Sequence, residues 1–402
     1  MNMNKYVIDG NCIDSIELKC LIISRGIRVD DAVYRRHKNT ARLSMSPLCC
    51  NCLLLSDSTV VQLTDINFHL HYLSSIFKWD NIRLSKYLGD LSTPFSLRIQ
   101  DDRPTLFYNN LEIDTVSFPP VSSFYRQKTA MGSPFVGNAV LQGLDWVAFQ
   151  CLWTCEYAAA GQPCQFCFSG ADFDNAAKKG KTLPKAIHAS DVAEIVNYAL
   201  NNDNVTNIQI TGGSTFDGSA ESKHITEYLT AIEKSQPCMA GELLLYITPP
   251  TDLSLIDRYF VLGASRIACS IEVWDINLAS DITPGKIKIT GRDKHLRALE
   301  YIVQKYGHGK AFSNFIIGIE DFSTLAEGSN RLAERGILPA ASVWMPMGRP
   351  VQGSMKAPNV DYYRRVKELF AELYTKYGLE PTKSRGLNVC IEREIWNYAQ
   401  NK

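Results

Sequence analysis

The sequence predicts an α/β fold: a partial (β/α)6 TIM-like barrel with an N-terminal α+β accessory domain and a short C-terminal extension. Two observations carry this. From about residue 141 onward, apolar runs of strand length alternate with amphipathic helical stretches. That pattern argues for parallel strands joined by right-handed crossovers. Three cysteines, Cys155, Cys164 and Cys167, stand at spacing C-x8-C-x2-C just past the first of these strands. Functional groups gather there in a βα barrel. The predicted boundaries are 1–140 for the accessory and substrate-recognition region, 141–350 for the barrel and 351–402 for the extension.

In the accessory region Leu18–Ser24 and Leu53–Leu63 read as strands, the second interrupted by Ser-Asp-Ser. Thr64–Phe77 reads as a helix, with Ile66, Leu70, Leu73 and Phe77 on one face and Thr64 as its cap. The barrel strands are Asp145–Gln150, Asn207–Thr211, Glu242–Ile247, Arg266–Ile271, Ala311–Ile317 and Leu338–Trp344. The helices between them are Asp191–Leu200, Lys223–Lys234, Asp252–Leu262, Asp293–Tyr306 and Thr324–Arg335, the last two stopped by Gly307 and Gly336. A Pro/Gly-rich stretch, Met345–Gly353, opens the tail. Asp361–Tyr377 follows as a helix that ends at Gly378. Asn388–Tyr398 fits either a strand or a helix.

Composition narrows the function. The chain has 402 residues, 45% hydrophobic and 21% charged, with a formal net charge of zero. These are globular values, and they give no electrostatic case for nucleic-acid binding. The apolar runs are too short to span a bilayer, and residues 1–20 carry no secretory pattern. The 12 cysteines therefore point to a reducing, cytoplasmic setting, where clustered cysteine binds metal more often than it forms disulfides. The triad fits three readings: buried structural cysteines, a zinc site short of a ligand, or a [4Fe–4S] cluster with one iron left open. Structural zinc takes four ligands, and Cys151, the nearest other cysteine, lies at the strand end. Short loop-borne cysteine spacings suit the cluster. Cys52 follows Cys49 and Cys50 closely, and the three fit a structural role more readily than the alternative of a second metal site. The histidines show no ligand spacing.

With Phe166 before its last cysteine, the triad resembles that of the radical S-adenosylmethionine enzymes. Later strand ends extend the resemblance over roughly residues 120–350. Ile210-Thr-Gly-Gly-Ser-Thr215 sits at the family's Gly-Gly-Glu position, with Ser214 in place of the acid. Ser270-Ile-Glu-Val-Trp-Asp275 sits at the position of a ribose-contacting acid. Phe315-Ile-Ile-Gly-Ile-Glu320 sits at that of the adenine contact, and Trp344-Met-Pro-Met347 ends the sixth strand. The family's commonest spacing is C-x3-C-x2-C, so the x8 loop is a departure. With Gly26-Ile-Arg-Val-Asp30, Phe124-Tyr125 and Pro284-Gly-Lys286, that loop is similar to those of splicease-type maturases of ribosomally made peptides.

The resemblance implies that Cys155, Cys164 and Cys167 ligate a [4Fe–4S] cluster. It implies that S-adenosyl-L-methionine lies among Phe166, Gly212, Gly213, Ser214, Ser270, Glu272, Ile317, Gly318 and Met345. Gly212 and Gly213 also fit a tight βα turn, Glu272 a paired carboxylate inside the barrel, and Ile317 plain core. Lys286 and Arg292 read more readily as solvated loop residues than as partners of the methionine carboxylate. Glu320 fits a substrate contact or a helix-start acid. The narrower resemblance implies a precursor-peptide substrate from which a tyrosine-derived tyramine unit is excised to leave an α-keto-β-amino acid. It also implies a small companion protein and a reductant such as flavodoxin or ferredoxin. The alternative is a small-molecule metabolite substrate.

Overall fold

A computed structural model describes residues 3–37, 52–66, 93–120, 122–167, 186–345 and 356–402. Its centre is a seven-stranded sheet in which six parallel strands follow one another in chain order. These are β10 (Trp146–Gln150), β11 (Asn207–Thr211), β12 (Leu243–Tyr246), β13 (Arg266–Ala268), β14 (Ala311–Ile317) and β15 (Leu338–Val343). A short strand, β9 (Ala139–Gln142), pairs antiparallel with β10 and forms one edge; β15 forms the other. The curled sheet is therefore an open partial barrel, as the alternation predicts.

Helices cross between successive strands at Ala189–Asn202, Ser219–Ser235, Ser254–Val261, Arg292–Tyr306 and Phe322–Ala333. Each turns an apolar stripe inward, such as Val192, Ile195, Val196 and Ala199 in the first. The strands are buried on both faces, as parallel strands under helices must be. All strand C-termini open on one side, and the loops that leave them build the site.

The accessory region holds a β1–β2 hairpin (Lys5–Ile8, Asn11–Asp14) and a β4–β5 hairpin (Cys52–Leu54, Val60–Gln62). It also holds a four-stranded sheet ordered β3 (Arg28–Val29), β6 (Phe95–Gln100), β7 (Arg103–Tyr108), β8 (Leu111–Thr115). The strand expected over Leu18–Ser24 is instead part of α1 (Ser15–Arg25). The Asp14 side chain accepts from the Ile16 and Glu17 amides, and the Glu17 carboxylate accepts from the Asp14 amide. This capping box starts a helix. Residues 15–24 are buried all round, so no polar face gives the helix a 3.6-residue period. The run read as one strand over Leu53–Leu63 is the β4–β5 hairpin, turning at the Ser-Asp-Ser. Cys49, Cys50, His69 and His71 lie outside the described residues, as do all but the start of the Thr64–Phe77 helix and most of the Met345–Gly353 stretch.

The tail forms α2 (Val360–Tyr377), and its last segment is a helix, Glu392–Gln400. Lys19, with a fully buried side chain, donates to the Leu387 and Cys390 carbonyls at 2.7 Å each and to Glu394 at 2.6 Å. From α2, Lys367 reaches back to Asp14 at 2.6 Å and Glu17 at 3.0 Å. No helix among the described residues is long and apolar enough to cross a membrane.

Candidate functional site

The cysteine loop sits on the C-terminal ends of β10 and β11 through main-chain bonds. Cys151 N–H donates to Thr211, Gly213 N–H to Leu152, and Glu156 N–H to Ser214. The Gly-Gly pair is required by this seat. A Cβ on Gly213 would stand 1.8 Å from the Thr154 carbonyl oxygen, and one on Gly212 2.9 Å from Leu152 backbone atoms. The close approach glycine permits is thus first of all that of the cysteine loop.

The eight-residue spacer has a structural role. Glu156–Ala159 is one helical turn with Cys155 as its N-cap residue and Tyr157 buried beneath it. The Tyr157 hydroxyl bonds Thr290, and a Cβ on Gly285 would meet the Tyr157 ring at 2.5 Å. Gln165 N–H donates to Ile282 and Gly285 N–H to Gln162. The loop is therefore clamped from its far side by residues 282–290. Phe166 packs beside Val273, Ala279 and Ile282.

Between this loop and the ends of β11, β12 and β13 lies a cavity of about 790 Å³, counting the part open to solvent. Cys155, Cys164 and Cys167 line it, with Phe166, Gly212, Gly213, Ser214, Ser270 and Glu272. Nine of the expected residues therefore share one space. Ile317 is fully buried in the main core. Gly318, at φ +102°, takes its place against Tyr363 and Pro358, and its N–H donates to the Tyr362 hydroxyl. Met345 packs against the main core. These three do not line the cavity.

Among the described residues no three His, Cys, Asp or Glu side chains stand at metal-binding separation. The donor set nonetheless fits an iron–sulfur cluster. Three cysteines outside any disulfide line one cavity. Burial first, then charge on Cys167, Glu272 and Cys155, pushes the Cys164 thiol up, while Lys286 opposes this. Such a thiol stays protonated until a metal takes its proton's place, and Lys286 is positioned to offset an anionic cluster.

Glu272 has φ +71°, a conformation that costs an acidic residue of order 1–3 kcal/mol. Bonds on both sides hold it: its N–H donates to Asn314, and its carbonyl accepts from Ile316. This aims the carboxylate at Lys286 Nζ, 3.0 Å away. Lys286 also donates to the Ser270 carbonyl at 2.8 Å. Burial works to lower the Lys286 pKa, but the Glu272 carboxylate beside it outweighs this and holds the ammonium charged. The expectation of a solvated Lys286 is thereby corrected. Lys286 opens a π-helical turn, Lys286–Thr290, that rolls it inward. Arg292 points elsewhere, over the Trp274 ring at 5.1 Å. Glu320 accepts from the Trp274 and Asp275 amides and is structural.

Sequence reasoning missed Glu221, in the first turn of helix Ser219–Ser235. It lines the same cavity. The signal was its register: Glu221, Ile225, Tyr228 and Ile232 share one stripe, a charge among apolar residues. Burial pushes its carboxyl up to about 7, against hydrogen bonds from Thr248 and Thr215 that lower it.

No family model matches the chain. A curated relative, the bacteriochlorophyllide c C-7(1)-hydroxylase of Chlorobaculum limnaeum, is 26% identical over 269 residues, which is 63% of this chain and 66% of that protein. The match thus spans just under two thirds of the relative's length. Among solved structures, Streptococcus suis SuiB bound to S-adenosylmethionine aligns over 58% of this chain and 48% of its own. That alignment has a TM-score of 0.41 and 15% identity. Coproporphyrinogen III oxidase (HemN) from Escherichia coli, a radical SAM enzyme, aligns over 58% and 53%, with a TM-score of 0.37 and 13% identity.

Proposed function

We propose that this chain is a radical S-adenosylmethionine enzyme. The observation that carries the reading is the convergence of Cys155, Cys164 and Cys167 with Gly212, Gly213, Ser270 and Glu272 on one cavity at the strand C-termini. Cys155, Cys164 and Cys167 would hold a [4Fe–4S] cluster, which with S-adenosylmethionine bound would supply reductive one-electron chemistry and hydrogen-atom abstraction from substrate. The protein's part is placement. Gly213 seats the loop. Glu272, aimed by its backbone and held by Lys286, presents a carboxylate oxygen to ligand hydroxyls. Lys286 stands where it can face a ligand carboxylate.

The test is anaerobic reconstitution with iron and sulfide. The wild type is expected to take up about four irons per chain and, once reduced, to form 5′-deoxyadenosine from S-adenosylmethionine. Alanine at Cys155, Cys164 or Cys167 removes both. A wild type that holds a cluster but forms no 5′-deoxyadenosine sinks the enzyme reading.

Two substrate classes stand under it. A ribosomally made precursor peptide, with tyramine excision and a companion protein, rests on the narrower sequence resemblance. A small molecule is favoured by the relative named for a hydroxylation of bacteriochlorophyllide c. Co-expression with short reading frames neighbouring its gene, followed by mass analysis, divides them. A peptide losing the mass of tyramine establishes the first. Unchanged peptide masses in the presence of active enzyme favour the second.

A further inference from the structure

Strand β14 is buried on both faces, yet Asn314 stands in its middle, 8% exposed. Amide side chains are scarce in such strands, so its bonds need a reason. Asn314 meets the site in three ways. Its N–H donates to the Ser270 hydroxyl oxygen at 3.3 Å, its carbonyl accepts from the Glu272 N–H at 3.0 Å, and its side-chain nitrogen donates to Glu272 Oε2 at 3.4 Å. Lys286 holds the other carboxylate oxygen, Oε1. Glu272 is thus held from the π-helical turn by a cation and from β14 by an amide.

The proton count sets the direction of every bond further out. A carboxylate paired with a lysine only accepts. The NH2 of Asn314 therefore faces Glu272, and its amide oxygen faces away. Ser342, on β15, donates its one proton to that oxygen at 3.0 Å. The Ser342 oxygen is left to accept, and Cys390, with its sulfur 3.3 Å away, supplies the S–H. Burial pushes the Cys390 thiol up, so it keeps this proton. Cys390, Ser342, Asn314 and Glu272 form one chain in which every donor points toward the site. Bonds aligned in this way polarise and strengthen one another. The outer end of the chain belongs to the tail, which is bonded to the edge of β15: Val343 N–H donates to Val389 and Ile391 N–H to Ala341.

We propose that Ser342 and Cys390 are positioning residues for the Glu272 carboxylate, acting through the Asn314 amide, so that the docked tail sets the aim of the acid in the cavity. Asn314, Ser342 and Cys390 do not line the cavity, and they reach a ligand only through Glu272. Without the Ser342 proton the amide is free to turn over and set its oxygen against the carboxylate, which then moves off its aim. The proposal rests on the reading in which Glu272 meets the ribose hydroxyls of S-adenosylmethionine.

The experiment is equilibrium dialysis of the anaerobic, cluster-loaded protein against S-adenosylmethionine and against its 2′,3′-dideoxy analogue, which lacks only the two ribose hydroxyls. Ser342→Val and Ser342→Thr have the same shape and differ only in the hydroxyl. Ser342→Val is expected to weaken S-adenosylmethionine binding about 5- to 10-fold, the effect of one hydrogen bond. Ser342→Thr is expected to bind like wild type, and the analogue to bind both variants and wild type alike. Cys390→Val and Cys390→Ser form a second pair, without and with a donor, that is expected to show the same contrast; it stands in if Ser342→Val folds poorly. Equal S-adenosylmethionine binding by the two members of a pair overturns the proposal. A loss that is the same for both ligands also overturns it, because that is the mark of a structural role. A wild type that binds both ligands equally well shows that Glu272 does not meet the hydroxyls; the proposal then falls while the S-adenosylmethionine reading stands. A wild-type holoprotein that binds neither ligand overturns that reading, and the proposal falls with it.

Discussion

The buried Glu221 carboxyl makes a prediction about stability that needs no ligand. Glutamate titrates near 4.5 in the unfolded chain, while burial moves it to about 7 in the folded one. Below pH 4.5 both states are protonated and the residue is neutral in its effect. Between pH 4.5 and 7 the unfolded chain releases its proton and the folded one does not, so stability falls as pH rises; above 7 the loss is complete. The gap, 7 minus 4.5, is about 2.5 pH units at 1.36 kcal/mol each, or about 3 kcal/mol.

Glu221→Gln removes this dependence. Relative to wild type the variant therefore gains up to about 3 kcal/mol between pH 4.5 and pH 8. Neighbouring groups do not blur the comparison. Burial keeps the Cys151, Cys269, Tyr157 and Tyr259 protons in place across this range. The Glu272 carboxylate keeps Lys286 charged. His295 and Glu392 titrate alike in both proteins and cancel. The assay is urea unfolding of the reduced, ligand-free protein at the two pH values, read as the change in the wild-type-to-variant difference. The same difference at both pH values refutes the argument.

Gly213→Ala places a methyl against the Thr154 carbonyl. It is expected to leave the chain folded by circular dichroism but with less than about half of the wild-type iron; full iron content would show that the loop seat is not needed. Gly161→Ala, which meets nothing within 4 Å, should keep its iron and cost only about 1 kcal/mol for its positive φ. Lys286→Met leaves Glu272 half-buried without its cation and should cost about 2–4 kcal/mol, most of it recovered when Glu272→Gln is added. Simple additivity of the two changes in urea unfolding would count against the pair. Lys19→Met removes three short hydrogen bonds from a fully buried ammonium. It should lower unfolding free energy by about 3–5 kcal/mol, and a loss under about 1 kcal/mol would mean that the tail is held by other contacts.

The barrel was legible because each strand is an apolar run bracketed by an amphipathic helix, a pattern that local chemistry writes directly. The triad and the Gly-Gly pair were legible for the same reason: spacing and the absence of a Cβ are sequence properties. What escaped was orientation. Lys286 reads as a loop lysine until a π-helical turn rolls it into the cavity, and nothing in residues 284–292 announces that turn. Helix α1 escaped because burial on every side erases periodicity, although Asp14 and Glu17 stood at capping-box spacing. Ile317, Gly318 and Met345 were expected beside the ligand because the family resemblance puts its adenine contact at the end of the fifth strand. The cavity, however, lies between the cysteine loop and the ends of β11 to β13, and the strands that lead to these three residues, β14 and β15, lie further round the sheet.

The clasp around α1 bears on how the protein is made. Among the described residues Lys19 is satisfied by atoms some 370 positions away, at Leu387, Cys390 and Glu394. Asp14 and Glu17 wait similarly for Lys367. During synthesis α1 forms before its partners exist: Lys19 lacks its acceptors, and Asp14 and Glu17, though capped by the local amides, lack their cation until residues 367–394 follow. Loop-closure entropy over such a span slows folding, and a partly made chain exposes apolar surface meanwhile. The clasp between α1 and residues 367–394 thus closes late, and the site forms on a scaffold that these distant contacts seal.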